Sequence, residues 1–362
     1  MIPLLVDLES EWRGGQNQFL LLLKGLYERG HAAELLASDG SVLGHRAAKA
    51  GICVHRISRG ALRLPASRKI RELLEDGRIE LVHANESHAL TAAWLARAHR
   101  RVPLLFSRRV GFPLRQSKFA RARYLASNRI VANSHWVADR ATESGAPKDK
   151  LRVVYEGVPI PPLPTAESKK LARERWGILP GQILIGCVGV LSPDKGQEWV
   201  IRALGRLQSA FPACRLLLAG DGPDRERLES VAREAGVLNN VIFAGFVKEM
   251  ESVYQALDIF IFPALFEGLG TSLLAAMSYA IPSITYYGCA LGEIVENGVS
   301  GLQVAPKDSD KIAEAVTMLL HDPLRTSQLA QAGRARIEEK FSADSMVEGT
   351  IGIYQDVLRS RI

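Results

Sequence analysis

The sequence is expected to fold as an α/β protein in two successive domains, each a doubly wound, mostly parallel sheet. Three observations predict this. Short β-rich apolar runs alternate with helix-like stretches along the chain, the pattern of strand–helix–strand crossovers. The alternation is interrupted by VPIPPLPT at 158–165, whose four prolines make a semi-rigid, extended linker. The length, 362 residues, suits roughly two domains with a core each.

The elements follow in order. IPLLVDL (2–8) reads as a strand, NQFLLLLKGLYERG (17–30) as a helix closing on Gly30, and AAELLAS (32–38) as a second strand. RKIRELLEDGR (68–78), IELVHA (79–84) and SHALTAAWLARAHR (87–100) continue to the strand VPLLFS (102–107). A helix containing KFARARYLAS, the strand NRIVANS (128–134), a short helix ending on Gly145 and the strand LRVVYEG (151–157) complete the first half. After the linker, ILIGCVGVL (183–191), CRLLLAGDG (214–222), VIFAGFV (241–247), ALDIFIF (256–262) and SITYYG (283–288) read as strands separated by helices. Two Rossmann-like domains result, at 1–160 and 166–345.

Composition narrows the class. With 47% hydrophobic and 23% charged residues the chain is an ordinary globular protein. Its longest apolar candidate, FLLLLKGL, falls far short of the roughly 20 residues a membrane-spanning helix needs. MIPLLVDLESEW has no basic n-region and reads as a first strand, so a cytoplasmic protein is expected. Cys53, Cys187, Cys214 and Cys289 are widely spaced, which indicates buried thiols rather than a zinc ribbon or disulfide framework. Residues 1–160 hold 26 Lys+Arg against 15 Asp+Glu, while the remainder holds 20 against 24. A basic first half suits a phosphorylated lipid or saccharide acceptor or an anionic membrane face, and equally an ordinary solvated surface. Nucleic acid is not expected, there being no zinc-finger, RNP or GXXG pattern.

The richest segment is FPALFEGLGTSLLAAMSYAIP (262–282). An apolar run ends at Glu267, and a turn bracketed by Gly268 and Gly270 launches a packed helix. A helix start at a strand's carboxyl end directs unpaired N–H groups, and roughly +0.5 of a charge, at whatever occupies the crevice. The same residues also describe a plain strand, turn and helix with Thr271 as N-cap. GVLSPDKGQEW (189–199) likewise puts Lys195 and Gly196 at a helix entrance, where a cation can neutralise a diphosphate.

These segments resemble the donor site of the retaining family-4 glycosyltransferases (glycosyl transferases group 1), a GT-B fold of two Rossmann-like domains facing a central cleft. The resemblance implies that Glu267 contacts sugar hydroxyls of a nucleotide-sugar and that Lys195 holds its diphosphate. Gly268, Leu269, Gly270 and Thr271 would complete the donor turn, and Val247 would border the loop that meets the nucleobase. Gly14 and Gly15, in WRGGQNQ (12–18), match a Gly-Gly loop facing the donor. Asn85 and Glu86, in VHANES, fall on the acceptor side, His83 reading as a satisfied strand-end histidine. Arg108 and Arg109 could grip an anionic acceptor, and the basic, aromatic segment RQSKFARARY (115–124) a membrane face. The helix 346–361 would cross back onto the first domain.

The chain departs from the family's pattern where a second Glu would be Ala275, where an Arg would be Val190, and where Gly-Gly and Pro have become Cys289-Ala290 and Gly292. The resemblance implies retaining transfer from a nucleotide-sugar to a saccharide or lipid-linked acceptor, as in lipopolysaccharide or cell-surface polysaccharide synthesis. A nucleotide-sugar epimerase of the same fold and a non-catalytic nucleotide-sugar-binding relative are the alternatives. No cofactor and no metal are expected, since a helix dipole and Lys195 can stabilise the leaving charge. Asp308 and Asp310 precede KIAEAV and read as a helix cap rather than a metal site. No G-x-G-x-x-G, Walker A or G-x-S-x-G pattern supports a dehydrogenase, an NTPase or a hydrolase.

Overall fold

The computed structural model describes residues 1–58, 63–114 and 117–360. The chain divides into two compact units, Met1–Gly157 with Ala343–Ile362, and Val158–Ser342.

The first unit carries strands β1 (Pro3–Asp7), β2 (Glu34–Ser38), β3 (Cys53–Ile57), β4 (Leu81–Ala84), β5 (Leu104–Arg108), β6 (Arg129–Ala132) and β7 (Leu151–Val153). Between them run helices α1 (Gly14–Glu28), α2 (Val42–Lys49), α3 (Arg63–Leu73), α4 (Ser87–Leu95), α5 (Lys118–Ala126) and α6 (His135–Glu143). The sheet order is β3-β2-β1-β4-β5-β6-β7, and the strand pairings are parallel. Both faces are covered, which is why β1 is apolar without alternation until its last residue. Leu4 and Val6 point into the core under α3 and α4, and Leu5 points into the core under α1.

The second unit opens with α7 (Ala166–Arg175) and repeats the plan. Its strands are β8 (Ile183–Val188), β9 (Cys214–Ala219), β10 (Val241–Gly245), β11 (Ile259–Phe262), β12 (Ser283–Tyr286) and β13 (Leu302–Val304). Its further helices are α8 (Gln197–Leu207), α9 (Arg225–Glu234), α10 (Glu251–Ala256), α11 (Thr271–Ser278), α12 (Leu291–Ile294), α13 (Ser309–His321) and α14 (Pro323–Lys340). The parallel sheet runs β10-β9-β8-β11-β12-β13. The last helix, α15 (Ala343–Arg359), returns to the first unit and buries Val347, Ile351 and Tyr354 among the side chains of α1. Contact there is close enough that a Cβ on Gly25 would lie 2.5 Å from Val347 Cγ2.

Each sheet reverses its winding direction at one place, between β1 and β4 in the first unit and between β8 and β11 in the second. Crossover helices leave these two strand pairs in opposite directions, so a crevice opens beyond their carboxyl ends. Among the described residues no helix is long and apolar enough to cross a membrane.

Several features differ from the sequence reading. The helix expected at 17–30 starts at Gly14, so Gly14 and Gly15 form its first turn rather than a loop. Helix α2 and strand β3 were not expected; β3 is an edge strand whose CVHRI is mostly solvent-facing and lacks an apolar run. Thr271 is not the N-cap of α11, a place taken by Gly270 in a left-handed conformation at φ 104°. The helix expected within 115–124 forms from Lys118, while Arg115 and Gln116 lie outside the described residues.

Candidate functional site

Polar groups gather at both switch points. In the second unit the chain leaves β8, passes a short 3-10 turn at Pro193–Lys195, and enters α8 through Gly196 at φ 69°. This turn is pressed against the end of β11: a Cβ on Gly196 would lie 2.2 Å from Pro263 O, so only glycine fits. Leu265 N donates to Asp194 O at 2.8 Å and ties the two loops together.

That seam brings Lys195 and Glu267 into contact, Nζ to Oε2 at 2.7 Å, with both side chains 22% exposed. The other oxygen, Glu267 Oε1, accepts from Gly268 N at 3.2 Å. Leu269 is buried and anchors the turn, Gly270 caps α11, and Ser272 Oγ donates to Val188 O at 3.2 Å. Helix α11 therefore starts at the end of β8, and Thr271 stands in its first turn. Cys289 lies alongside, donating from Sγ to Leu265 O at 3.2 Å, with its own backbone left-handed at φ 49°. A non-glycine residue there carries local strain, of order 1–3 kcal/mol.

The departures from the family pattern are visible in place. Val190 is 56% exposed just beyond β8, so no cation joins Lys195 from that position. Ala275 lies half-exposed one turn into α11. Val247 is half-buried beyond β10, two strands from β8 in the sheet, so it does not join the Lys195–Glu267 seam.

In the first unit, Asp7 ends β1 with no exposed surface. Its carboxylate accepts from Gln16 Nε2 at 2.9 Å, Asn85 Nδ2 at 2.5 Å and Glu9 N at 3.1 Å. Burial nevertheless raises its pKa, because desolvation outweighs these bonds. Glu86 caps α4, accepting from His88 N, from Ala89 N at 2.7 Å and from Leu8 N at 3.4 Å. Burial dominates here too and pushes its pKa up to about 7. His83 accounts for both ring nitrogens, with Tyr354 Oη at 2.7 Å and Ser107 Oγ at 2.8 Å, and burial lowers its pKa to about 3. It is a neutral strut joining α15 to the sheet.

Arg109 donates to Glu156 Oε1 at 2.5 Å and to Asn85 Oδ1 at 2.5 Å, so its charge is paired with a carboxylate in this structure. Arg108 is buried, donates to Phe112 O, and has its pKa lowered by desolvation. Both line a cavity of about 290 Å³ over the ends of β1, β4 and β5, together with Glu9, Glu11, Arg13, Asn85 and Glu86. Gly15 borders the same space. Mixed charges and amides of this kind suit a polyhydroxylated ligand better than a strong anion. Asp7, Gln16 and Glu156 escaped the sequence reading; the one available signal was a carboxylate closing an otherwise apolar strand.

Asp308 caps α13, accepting from Lys311 N at 3.0 Å. Glu9, Glu86 and His88 bring ligand atoms within 4.8 Å of one another. There Glu86 accepts from the backbone N–H groups of His88 and Ala89, and His88 Nδ1 accepts from Arg63.

Two family descriptions match the chain, Glycosyltransferase Family 4 over residues 12–160 and Glycosyl transferases group 1 over residues 168–336. An uncharacterised glycosyltransferase of Methanocaldococcus jannaschii is 30% identical over 214 residues, 58% of this chain and 55% of that protein. A GDP-mannose-dependent monoacylated alpha-(1-6)-phosphatidylinositol monomannoside mannosyltransferase of Corynebacterium glutamicum is 33% identical over 53% of this chain and 52% of its own. The chain thus spans about half the length of the curated relatives it matches. Among solved structures, Anabaena HepE in complex with UDP and glucose aligns with a TM-score of 0.85 over 98% of this chain and 99% of its own, at 20% identity. A glycosyltransferase from Rickettsia africae aligns at 0.87 over 99% and 98%, at 17% identity. The two-unit, Rossmann-like architecture is that of the GT-B fold.

Glu86 makes a pH-dependent contribution to stability. Its pKa in the folded chain, about 7, lies above the ordinary 4.5, so the folded state holds the proton more tightly. The stabilisation is full below about pH 4.5 and is lost as the pH rises through about 7, amounting to on the order of 3 kcal/mol. Denaturant unfolding of Glu86→Gln across that range should show a flatter profile than the parent chain, with residual slope from Asp7. Parallel profiles would show that Glu86 titrates normally.

Proposed function

The chain belongs to the group 1, family 4 glycosyltransferases, and from that membership we propose that it transfers a sugar from a nucleotide-sugar donor to a saccharide or lipid-linked acceptor, with retention of anomeric configuration. The observation that carries the reading is the Lys195–Glu267 pair, seated at the switch point of the second sheet beside the start of α11. A partly buried ion pair at this exposure contributes on the order of 1 kcal/mol. An incoming diphosphate offers Lys195 more charge than Glu267 does, so the pair exchanges partners: Lys195 turns to the diphosphate, and Glu267 is left to accept from sugar hydroxyls. The first-turn N–H groups of α11, at Thr271 behind Gly268, Leu269 and Gly270, add a positive field to the same place.

As the sugar–phosphate bond breaks, negative charge grows on the departing diphosphate. Lys195 and the helix N-terminus stabilise that charge without a metal ion, and the diphosphate helps to take the proton from the acceptor hydroxyl. The nucleotide-sugar is a substrate, so no cofactor is required. Val247 and its loop would meet the nucleobase. Gly14 and Gly15, in the first turn of α1, match the family's donor-facing Gly-Gly and would serve the donor through their backbone N–H groups. Asn85, Glu86, Arg108 and the Asn85-bound Arg109 belong to the acceptor cavity, whose mixed polar lining supports a saccharide acceptor.

The domains then take their roles, residues 1–160 with α15 binding acceptor and residues 166–345 binding donor. Cell-envelope polysaccharide or lipopolysaccharide synthesis on the cytoplasmic side of a membrane fits a lipid-linked acceptor. Helix α5 supports peripheral contact with that membrane, presenting Lys118 and Arg121 beside exposed Phe119 and Leu125. Val190 and Ala275 favour a second reading, a nucleotide-sugar-binding protein that does not turn over.

A thermal-shift panel of UDP-, GDP- and ADP-sugars identifies the donor, since a ligand at 100 times its dissociation constant stabilises by about 2.7 kcal/mol. With that donor, Lys195→Ala should lower turnover about 10²–10³-fold, as loss of a preorganised charge-stabilising group does. Its melting temperature should be nearly unchanged. Donor binding with no hydrolysis or transfer to any acceptor favours the non-catalytic reading, and near-parental turnover of Lys195→Ala removes the lysine from the mechanism. For the membrane part, sedimentation with anionic vesicles should fall sharply between 0.1 and 1 M salt, as the screening length drops from about 10 to about 3 Å. Equal binding to neutral vesicles would contradict it.

A further inference from the structure

We propose that Glu34, Cys53 and His55 form a binding site for a thiophilic divalent cation of the zinc type, separate from the transfer chemistry. Strand pairing builds it. Glu34 and Cys53 are the first residues of β2 and β3 and are direct partners in the parallel register, so their side chains leave the sheet on one face. His55 lies two residues beyond Cys53 and shares that face. The result is a Cys-x-His pair on an edge strand with a carboxylate opposite.

The ligand atoms converge. Cys53 Sγ is 3.8 Å from His55 Nε2, His55 Nε2 is 2.7 Å from Glu34 Oε2, and all three lie within 4.8 Å of one another. Bonds of about 2.3 Å to sulfur and about 2.0–2.2 Å to nitrogen and oxygen, set tetrahedrally, require donor separations of roughly 3.3–3.8 Å. The Cys–His separation meets this already, and the His–Glu separation needs only a small opening. Glu34 is also held by Arg78, which donates to Oε1 and, through Nη2 at 3.1 Å, to Oε2, so a metal would enter at Oε2 in place of the His55 bond; Arg78 Nε in turn donates to Asp76 Oδ2 at 2.7 Å. An outer donor that fixes a ligating carboxylate is the usual support of a metal site. An Arg78–Glu34–His55 ion cluster alone gives the thiol no task, whereas Cys53 completes a mixed sulfur, nitrogen and oxygen set.

Thiolate and imidazole select zinc-like ions over magnesium or calcium, which take oxygen ligands. Binding would release about one proton, from the Cys53 thiol, while the His55 ring proton moves to Nδ1. Cys53 is exposed, so the fourth position would face water. The site stands at the amino ends of β2 and β3, opposite the strand ends that carry the acceptor cavity. Its effect would be to clamp the edge strand β3 to β2.

Titration of the full chain with Co²⁺ tests this. The expected result is a thiolate-to-cobalt charge-transfer band that saturates at a single equivalent and is displaced by Zn²⁺. Cys53→Ser should abolish the band, His55→Ala should weaken binding at least tenfold, and Cys289→Ser should leave both unchanged. Zn²⁺, but not Mg²⁺, should raise the melting temperature of the parent chain and not of Cys53→Ser, the two melting alike in chelator. Absence of the band, its survival in Cys53→Ser, or an equal Zn²⁺ shift in both chains would reduce the cluster to a surface ion network with adventitious metal only.

Discussion

A parallel sheet covered on both faces can hold little but apolar side chains, so polar chemistry is confined to its strand ends. That constraint organises both units. β1 is apolar until Asp7, and the run through β11 stays apolar until the turn at Glu267. Only where the winding reverses do neighbouring crossovers diverge and leave those ends uncovered. Both clusters therefore stand at reversals, Asp7 with Asn85 between β1 and β4, and Lys195 with Glu267 between β8 and β11. Burial then decides their electrostatics: low-dielectric surroundings raise the pKa values of Asp7 and Glu86.

The fold was legible because the covered strands are contiguous apolar runs, and nothing else explains ILIGCV or CRLLLA so simply. β3 was not legible, for the complementary reason. As an edge strand it buries little, and CVHRI reads as a loop unless its pairing with β2 is known. Helix α2 between them is short and has Gly44 in its interior, where a Cβ would lie 2.8 Å from the capping Ser41 Oγ. Helix packing there overrode propensity.

At the candidate sites, legibility followed sequence distance. Glu267 and the glycines around it are a local pattern, and Lys195 precedes a helix entrance, so both stand out in the linear sequence. Their 2.7 Å contact does not, because it depends on Gly196 lying against Pro263. Asp7, Gln16, Asn85, Arg109 and Glu156 form one hydrogen-bonded chain whose members come from five separate places in the sequence. That chain also pairs Arg109 with Glu156, a partner that the basic character of residues 1–160 gives no hint of.

The central claim is that Lys195 and Glu267 hold one another until a donor separates them. Calorimetric affinity for the free nucleoside diphosphate, which lacks the sugar, tests it most directly in the parent chain, Glu267→Gln, Lys195→Met and the double variant. If the pair exchanges partners, Glu267→Gln frees Lys195 and binds the diphosphate more tightly than the parent, and the gain disappears when Lys195→Met is added. Unchanged or weaker binding by Glu267→Gln, or a gain that survives without the lysine, would contradict the account.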